Sequence, residues 1–201
     1  MRFRTLMVAV LAATLGSAGH AKAQDTLPGA RITNAGVVRA NAITDSVFIR
    51  RTRLIDTVDI ADFTSLMLAQ IGAPPFDDSL AFKVTSDPQR IRIAGRIMDF
   101  PPENRAELGP IFSFLDSTTV FVAEISMPRA DSGILVFKLE RVTVKGFAIP
   151  EVMMLAAVAE YRRRYPKMLF AGGTQFHVEI PREAHVILIR NGLVLKMPPK
   201  P

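Results

Sequence analysis

The sequence predicts an α+β fold built on antiparallel strands. Three observations carry this. Strand patterns and turn signals fill residues 80–99, 118–145 and 174–197. One helical stretch, about Asp62–Ile71, precedes them, and another, Glu151–Tyr165, lies between the last two. Short turns join neighbouring strands, as antiparallel pairing allows.

Taken in order, Ser46 to Leu54 is expected to open the fold with a strand around Val47-Phe48-Ile49. It ends in the basic Arg50, Arg51 and Arg53. Asp59 is a helix N-cap candidate, with Asp62 three residues on. Ile60, Phe63, Met67 and Ile71 then recur at helical spacing, with Leu66 widening the stripe. Gly72 and Pro74-Pro75 stop it. Leu80–Thr85 is a strand candidate, and Ser86-Asp87-Pro88-Gln89 a turn. Arg90–Asp99 alternates cleanly: Ile91, Ile93 and Ile97 on one face, Arg90, Arg92 and Arg96 on the other. One face of that sheet is therefore expected to be apolar and the other wet and cationic. Gly95 falls on the apolar side, where backbone approaches closely.

Pro101-Pro102 breaks the strand, and Glu103–Leu108 fits a short helix before Gly109-Pro110. Thr118–Met127 and Gly133–Lys145 read as two antiparallel neighbours joined through Pro128–Ser132. The second helix is the better marked. Pro150 occupies its first position, Glu151 its first turn, and Arg162, Arg163 and Arg164 its last, with Pro166 beyond. It should run roughly 22 Å. Met153 to Ala159 leave almost no polar face, so this helix is expected to be enclosed on several sides. Thr174–Ile180 and Ala184–Arg190 follow as strands around a turn at Pro181-Arg182-Glu183. Asn191-Gly192 signals a two-residue hairpin into Leu193–Met197. The order helix, strand, Pro-containing turn, strand thus occurs twice and suggests an internal repeat.

Residues 1–23 have the layout of a secretory signal peptide. Arg2 and Arg4 come first, Leu6–Leu15 gives an apolar run of about ten residues, and Ala21-Lys22-Ala23 supplies small residues at a cleavage point. An exported protein, periplasmic or extracellular, is expected. Residues 24–45, with Pro28, Gly29, Asn34, Gly36 and Asn41, read as a flexible N-terminal arm. One domain covers 46–197, and 198–201 a frayed tail. The leader holds three of the 25 Lys+Arg and none of the 19 acids, which leaves 22 cations against 19 acids, a formal +3. That is ordinary solubility charge and no footprint for nucleic acid. Without cysteine, disulfides, thiol catalysis and thiolate metal sites are excluded.

No Gly-x-Ser-x-Gly elbow or His-Glu-x-x-His occurs, and Gly172-Gly173-Thr174 lacks a phosphate-cradling lysine. His177 with Glu179 on its face, and His185, are two histidines and a carboxylate of the kind that can bind a metal. A hairpin would set His177 opposite about Val186 and turn the histidines to opposite faces. No metal, cofactor or enzymatic activity is expected.

Val144-Lys145-Gly146-Phe147-Ala148-Ile149-Pro150, an apolar helix, Phe176–Pro181 and an Asn-Gly hairpin together resemble the C-terminal half of small exported TULIP (tubular lipid-binding) domains. The resemblance spans about residues 45–197. It rests on element order and the Gly-Phe-x-Ile-Pro helix entry. It implies a curved antiparallel sheet wrapped around one long and one shorter helix, with an apolar groove for an acyl chain.

Within that layout Phe63, Met67, Phe147, Met153, Met154, Leu155 and Val158 are the expected lining, with methionines adapting to variable chains. Tyr161, Arg162, Arg163, Arg164 and Lys167 are placed to meet a phosphate headgroup or an anionic membrane surface. The expected partner is a lipid or another long apolar ligand. The alternative is a cell-envelope interaction module with no small ligand.

Overall fold

The computed structural model describes residues 27–70, 82–96, 116, 118–131, 133–164 and 169–199. The leader, the end of the first expected helix, the segment 97–115, and Tyr165 to Met168 lie outside that set. In chain order the elements are β1 (Ala30–Arg31), α1 (Asn34–Thr44), a π-helical turn (Asp45–Ile49), β2 (Ile55–Asp59), α2 (Ile60–Gln70), β3 (Lys83–Ser86), β4 (Arg90–Arg96) and β5 (Val120–Asp131). Then come β6 (Ile134–Val144), β7 (Phe147–Ala148), α3 (Glu151–Arg164), β8 (Leu169–Gly172), β9 (Gln175–Glu179), β10 (His185–Ile189) and β11 (Gly192–Lys196). The fold is α+β. One antiparallel sheet has the order β1-β3-β4-β5-β6-β9-β8, with β7 also on β6. A three-stranded antiparallel sheet has the order β10-β11-β2.

The N-terminal arm is a correction. Residues 34–44 are helical and packed, with Ala40 fully buried. Thr33 caps the helix, its Oγ1 accepting from Gly36 N–H at 2.9 Å. A Cβ on Gly36 would lie 2.7 Å from Asp62 Oδ1, so glycine is what lets α1 approach α2. Small residues and polar bonds, rather than an apolar stripe, hold this contact. Arg39 clasps Asp62 through two bonds of 2.7 and 2.6 Å, and Ser65 Oγ accepts from Thr33 N–H at 3.1 Å. The strand expected at 46–54 is a second correction. Its centre is the π-helical turn, and the strand lies further on, at β2.

Asp59 does cap the next helix, its Oδ1 accepting from Ala61 N–H at 2.8 Å and Asp62 N–H at 3.4 Å. Of the expected stripe Ile60, Phe63 and Leu66 are buried and Met67 is half-buried, while Ile71 lies outside the described residues; eight of the eleven residues of α2 are buried in all. Thr64 and Ser65 turn their hydroxyls onto the carbonyls of Ile60 and Ala61, at 2.7 Å each, and Asp62 is satisfied by Arg39. With its polar groups bonded in this way, α2 tolerates burial of Asp62, Thr64 and Ser65.

β3, β4, β5 and β6 form an antiparallel succession, but the turn expected at Pro128–Ser132 is corrected: β5 runs on through those residues to Asp131, which pairs with Ile134. Ile91 and Ile93 point into the core. A Cβ on Gly95 would run into the rings of Phe82 and Phe121, which meet edge-on at 5.7 Å. The opposite face is neutralised rather than cationic. Glu124 on β5 bridges Arg90 and Arg92 at 3.1 Å each, and Asp87 holds Arg92 at 3.0 Å. Arg96, of the same parity, is buried.

Three carboxyls sit below their ordinary pKa range. For Asp87 the main cause is the Gln89 N–H, for Glu140 the bond from Lys138, and for Asp56 the bond from Arg53. A depressed folded-state pKa contributes stability above the unfolded value and loses it as acid protonates the group. Unfolding midpoints in urea are therefore expected to hold at neutral pH and to fall as the pH drops through the ordinary carboxylate range (about 4). A profile flat through that range removes this contribution.

The expected hairpin of 174–180 with 184–190 does not form. β9 pairs with β6, whereas β10 pairs with β11 in the other sheet. Pro181 to Ala184 carries the chain between sheets, its bend closed by Ala184 N–H on Pro181 C=O at 2.9 Å. The two helix–strand–strand units are consequently not equivalent, and the internal repeat is not realised. The Asn-Gly signal marks a true hairpin, but Ile189 pairs with Gly192, so the loop is Arg190-Asn191. Asn191 alone takes a positive φ, +54°. Gly192 is needed for space, since a Cβ there would stand 2.9 Å from Val58 O.

Ser86 ties this hairpin to the large sheet. Its Oγ donates to Ile189 C=O at 2.7 Å and accepts from Gly192 N–H at 3.1 Å. Its backbone C=O accepts from Asn191 N–H at 3.0 Å. Removing the hydroxyl orphans a buried N–H, so Ser86→Ala is expected to cost about 1–3 kcal/mol in urea unfolding. A change near zero would mean that the link is not formed in solution.

Candidate functional site: the β6–β7 tip and the outer face of α3

β6 ends in a two-residue turn. Lys145 (φ +52°) and Gly146 (φ +80°) both take left-handed backbone, the mirror-type geometry favoured in tight hairpins, and Val144 pairs with Phe147. This hairpin projects Phe147 into solvent, 78% exposed. Lys145 Nζ lies 3.1 Å from Asp116. Ile149 N–H then bonds Val142 C=O at 2.8 Å, and Pro150 C=O receives Met153 and Met154 N–H at 3.0 and 3.2 Å. Helix α3 is thus launched directly from the hairpin.

At 100° per residue, α3 carries two apolar faces. Met154 and Val158, four residues apart, are buried. The other face holds Val152, Leu155, Ala156 and Ala159, all exposed, with Val152 at 71% and Leu155 at 37%. Arg162, also exposed, continues this face about 15 Å along the axis from Val152. The expected enclosure of α3 is therefore corrected. The helix lies against the fold by one face and turns an apolar stripe outward.

The expected lining residues separate accordingly. Phe63 is core, 6.2 Å from the ring of Phe137, and Met67 packs at its margin. Met154 and Val158 face inward and Met153 is half-buried, while Phe147 and Leu155 face out. Five of the seven are thus buried or half-buried and two are exposed. Of the headgroup set, Arg162 is exposed; Tyr161, Arg163 and Arg164 lie in the last turns of α3, and Lys167 lies outside the described residues.

Sequence reasoning missed Val152, Ala156 and Ala159. Their spacing matches that of the buried face, so periodicity gave no sign of which stripe is outside. His177 and His185 lie on strands of different sheets. Among the described residues no group of three His, Cys, Asp or Glu is close enough to hold a metal ion. Among the same residues, no helix is long and apolar enough to cross a membrane. No family model matches the chain, and neither a curated protein nor a solved structure is found similar to it.

Proposed function

We propose that this is an exported, non-enzymatic protein that rests on an anionic lipid surface through the β6–β7 tip and the outer stripe of α3. The observation that carries the reading is the outward display of Phe147 and Val152, both well exposed, on neighbouring elements. An interfacial helix buries such a face at the headgroup boundary and keeps its cations toward phosphate. Arg162 near the end of α3 supplies such a cation, and Lys145 on the tip, paired with Asp116, would have to exchange that partner for phosphate. The formal +3 of residues 24–201 suits a weak, salt-sensitive attachment rather than nucleic acid.

Lipid remains the ligand class that the tubular lipid-binding resemblance suggests, but the contact moves to the surface. A chain enclosed beside α3 by a curved sheet requires the outward stripe to be covered, and a surface contact does not. A protein partner with an apolar face is the second reading, favoured by the same exposed side chains.

The sequence contains no tryptophan. Phe147→Trp is therefore a single reporter at the tip. Its emission is expected to shift to the blue with phosphatidylglycerol vesicles at low salt, and not with phosphatidylcholine alone. An unchanged spectrum on both would sink the lipid reading and leave the protein partner.

A further inference from the structure

Asn191-Gly192 is the only Asn-Gly pair in the sequence; the other asparagines precede Ala35, Ala42 and Arg105. Asparagine is thermolabile, and most so before glycine, whose missing Cβ leaves the next backbone nitrogen unshielded. That nitrogen, once it loses its proton, attacks the side-chain Cγ. The new N–Cγ bond closes a cyclic imide, and the Cγ–Nδ2 bond breaks to release ammonia. Water then opens the imide. Attack at Cγ leaves aspartate, and attack at the α-carbonyl leaves isoaspartate, with the side-chain carbon in the main chain. Water is the only co-reactant, and no oxidant takes part.

In the fold, the groups that this reaction must bring together are held. Gly192 N–H donates to Ser86 Oγ at 3.1 Å, and Gly192 is buried. Asn191 Oδ1 accepts from Ser86 N–H at 3.4 Å, which turns the side chain toward β3. Asn191 N–H donates to Ser86 C=O at 3.0 Å, and Asn191 C=O accepts from Ile60 N–H at 3.1 Å. The last two bonds fix the backbone on both sides of the Cα. Ring closure takes the proton that Ser86 Oγ binds, swings Cγ away from Ser86 N–H and rotates the C=O off Ile60. We infer that Asn191 is a latent deamidation site, kept as the amide by Ser86. Isoaspartate is one carbon longer in the backbone and does not fit both the Ser86 and the Ile60 bonds, so the reaction also fixes the junction open. The state of residue 191 thus records whether the junction of the hairpin with β3 and α2 has stayed closed.

The test is ageing of the full chain in mildly alkaline buffer, read as the fraction of Asn191 converted by peptide mass mapping. The folded wild type is expected to convert at least about tenfold more slowly than the same chain in urea, and Ser86→Ala about tenfold faster than the folded wild type, a change in barrier the size of one hydrogen bond. Phe137→Ala separates the clasp from overall stability. It removes a buried ring but keeps Ser86, so it should convert more slowly than Ser86→Ala although it costs the fold more. If circular dichroism shows Ser86→Ala to be misfolded, Ser86→Cys, a weaker acceptor, takes its place. Three results would overturn the inference: a folded wild type that converts as fast as in urea, a Ser86 variant no faster than the wild type, or Phe137→Ala at least as fast as the Ser86 variant.

Discussion

Phe137→Ala is expected to lower the free energy of unfolding by about 3–5 kcal/mol, the largest single loss in the fold. Phe137 lies on β6 and is buried. Its ring stacks on Phe176 of β9 at 5.3 Å and tilts against Phe63 of α2 at 6.2 Å. One side chain thus joins a helix to two paired strands. Truncation removes its buried area and leaves a cavity bounded by two other rings, which cannot both collapse into it. Urea titration gives the value directly. Phe147→Ala is the control: its ring is in water, so a change within about 0.5 kcal/mol is expected. If the two variants lose equal stability, the placement of the aromatic core is wrong.

β3 and β4 could be read from the sequence because alternation and turn chemistry acted together there, whereas the turn read at Pro128–Ser132 is mostly strand. Ile91 and Ile93 face in, Arg90 and Arg92 face out, and Asp87 marks the turn. The capping of α2 by Asp59 was equally legible, since the bond is local. What was not legible depends on long-range partners. α1 has no apolar stripe to find. It is held by Gly36 against Asp62 and by Arg39 on the same carboxylate, contacts 23 or more residues away in sequence. β9 and β10 look like a hairpin until Gly133 C=O takes Ile180 N–H at 2.9 Å and β6 takes β9. Phe147 and Leu155 were expected as groove lining and stand exposed instead. Phe147, Leu155 and Arg162 were picked out by residue type and are exposed, but an apolar composition does not distinguish an enclosed helix from one that displays its second face.

The second large effect is on membrane attachment. Replacing Phe147, Val152 and Leu155 together by serine should weaken binding to anionic vesicles about a hundredfold. Each side chain gains roughly 1 kcal/mol on partial burial at the interface, and about 1.4 kcal/mol is a factor of ten. Folding should be spared, because none of the three is buried. Substituting Arg162 by glutamine should instead reduce binding most at low salt, where unscreened charge matters.

The most direct measurement is co-sedimentation of the wild-type protein and the triple-serine variant with phosphatidylglycerol-containing vesicles, at low and at physiological salt. The account predicts that the wild type pellets with these vesicles, less so as salt rises, and that the variant stays in solution while keeping its circular dichroism spectrum. A wild type that remains in the supernatant at low salt, or a variant that pellets as well as the wild type, would contradict it.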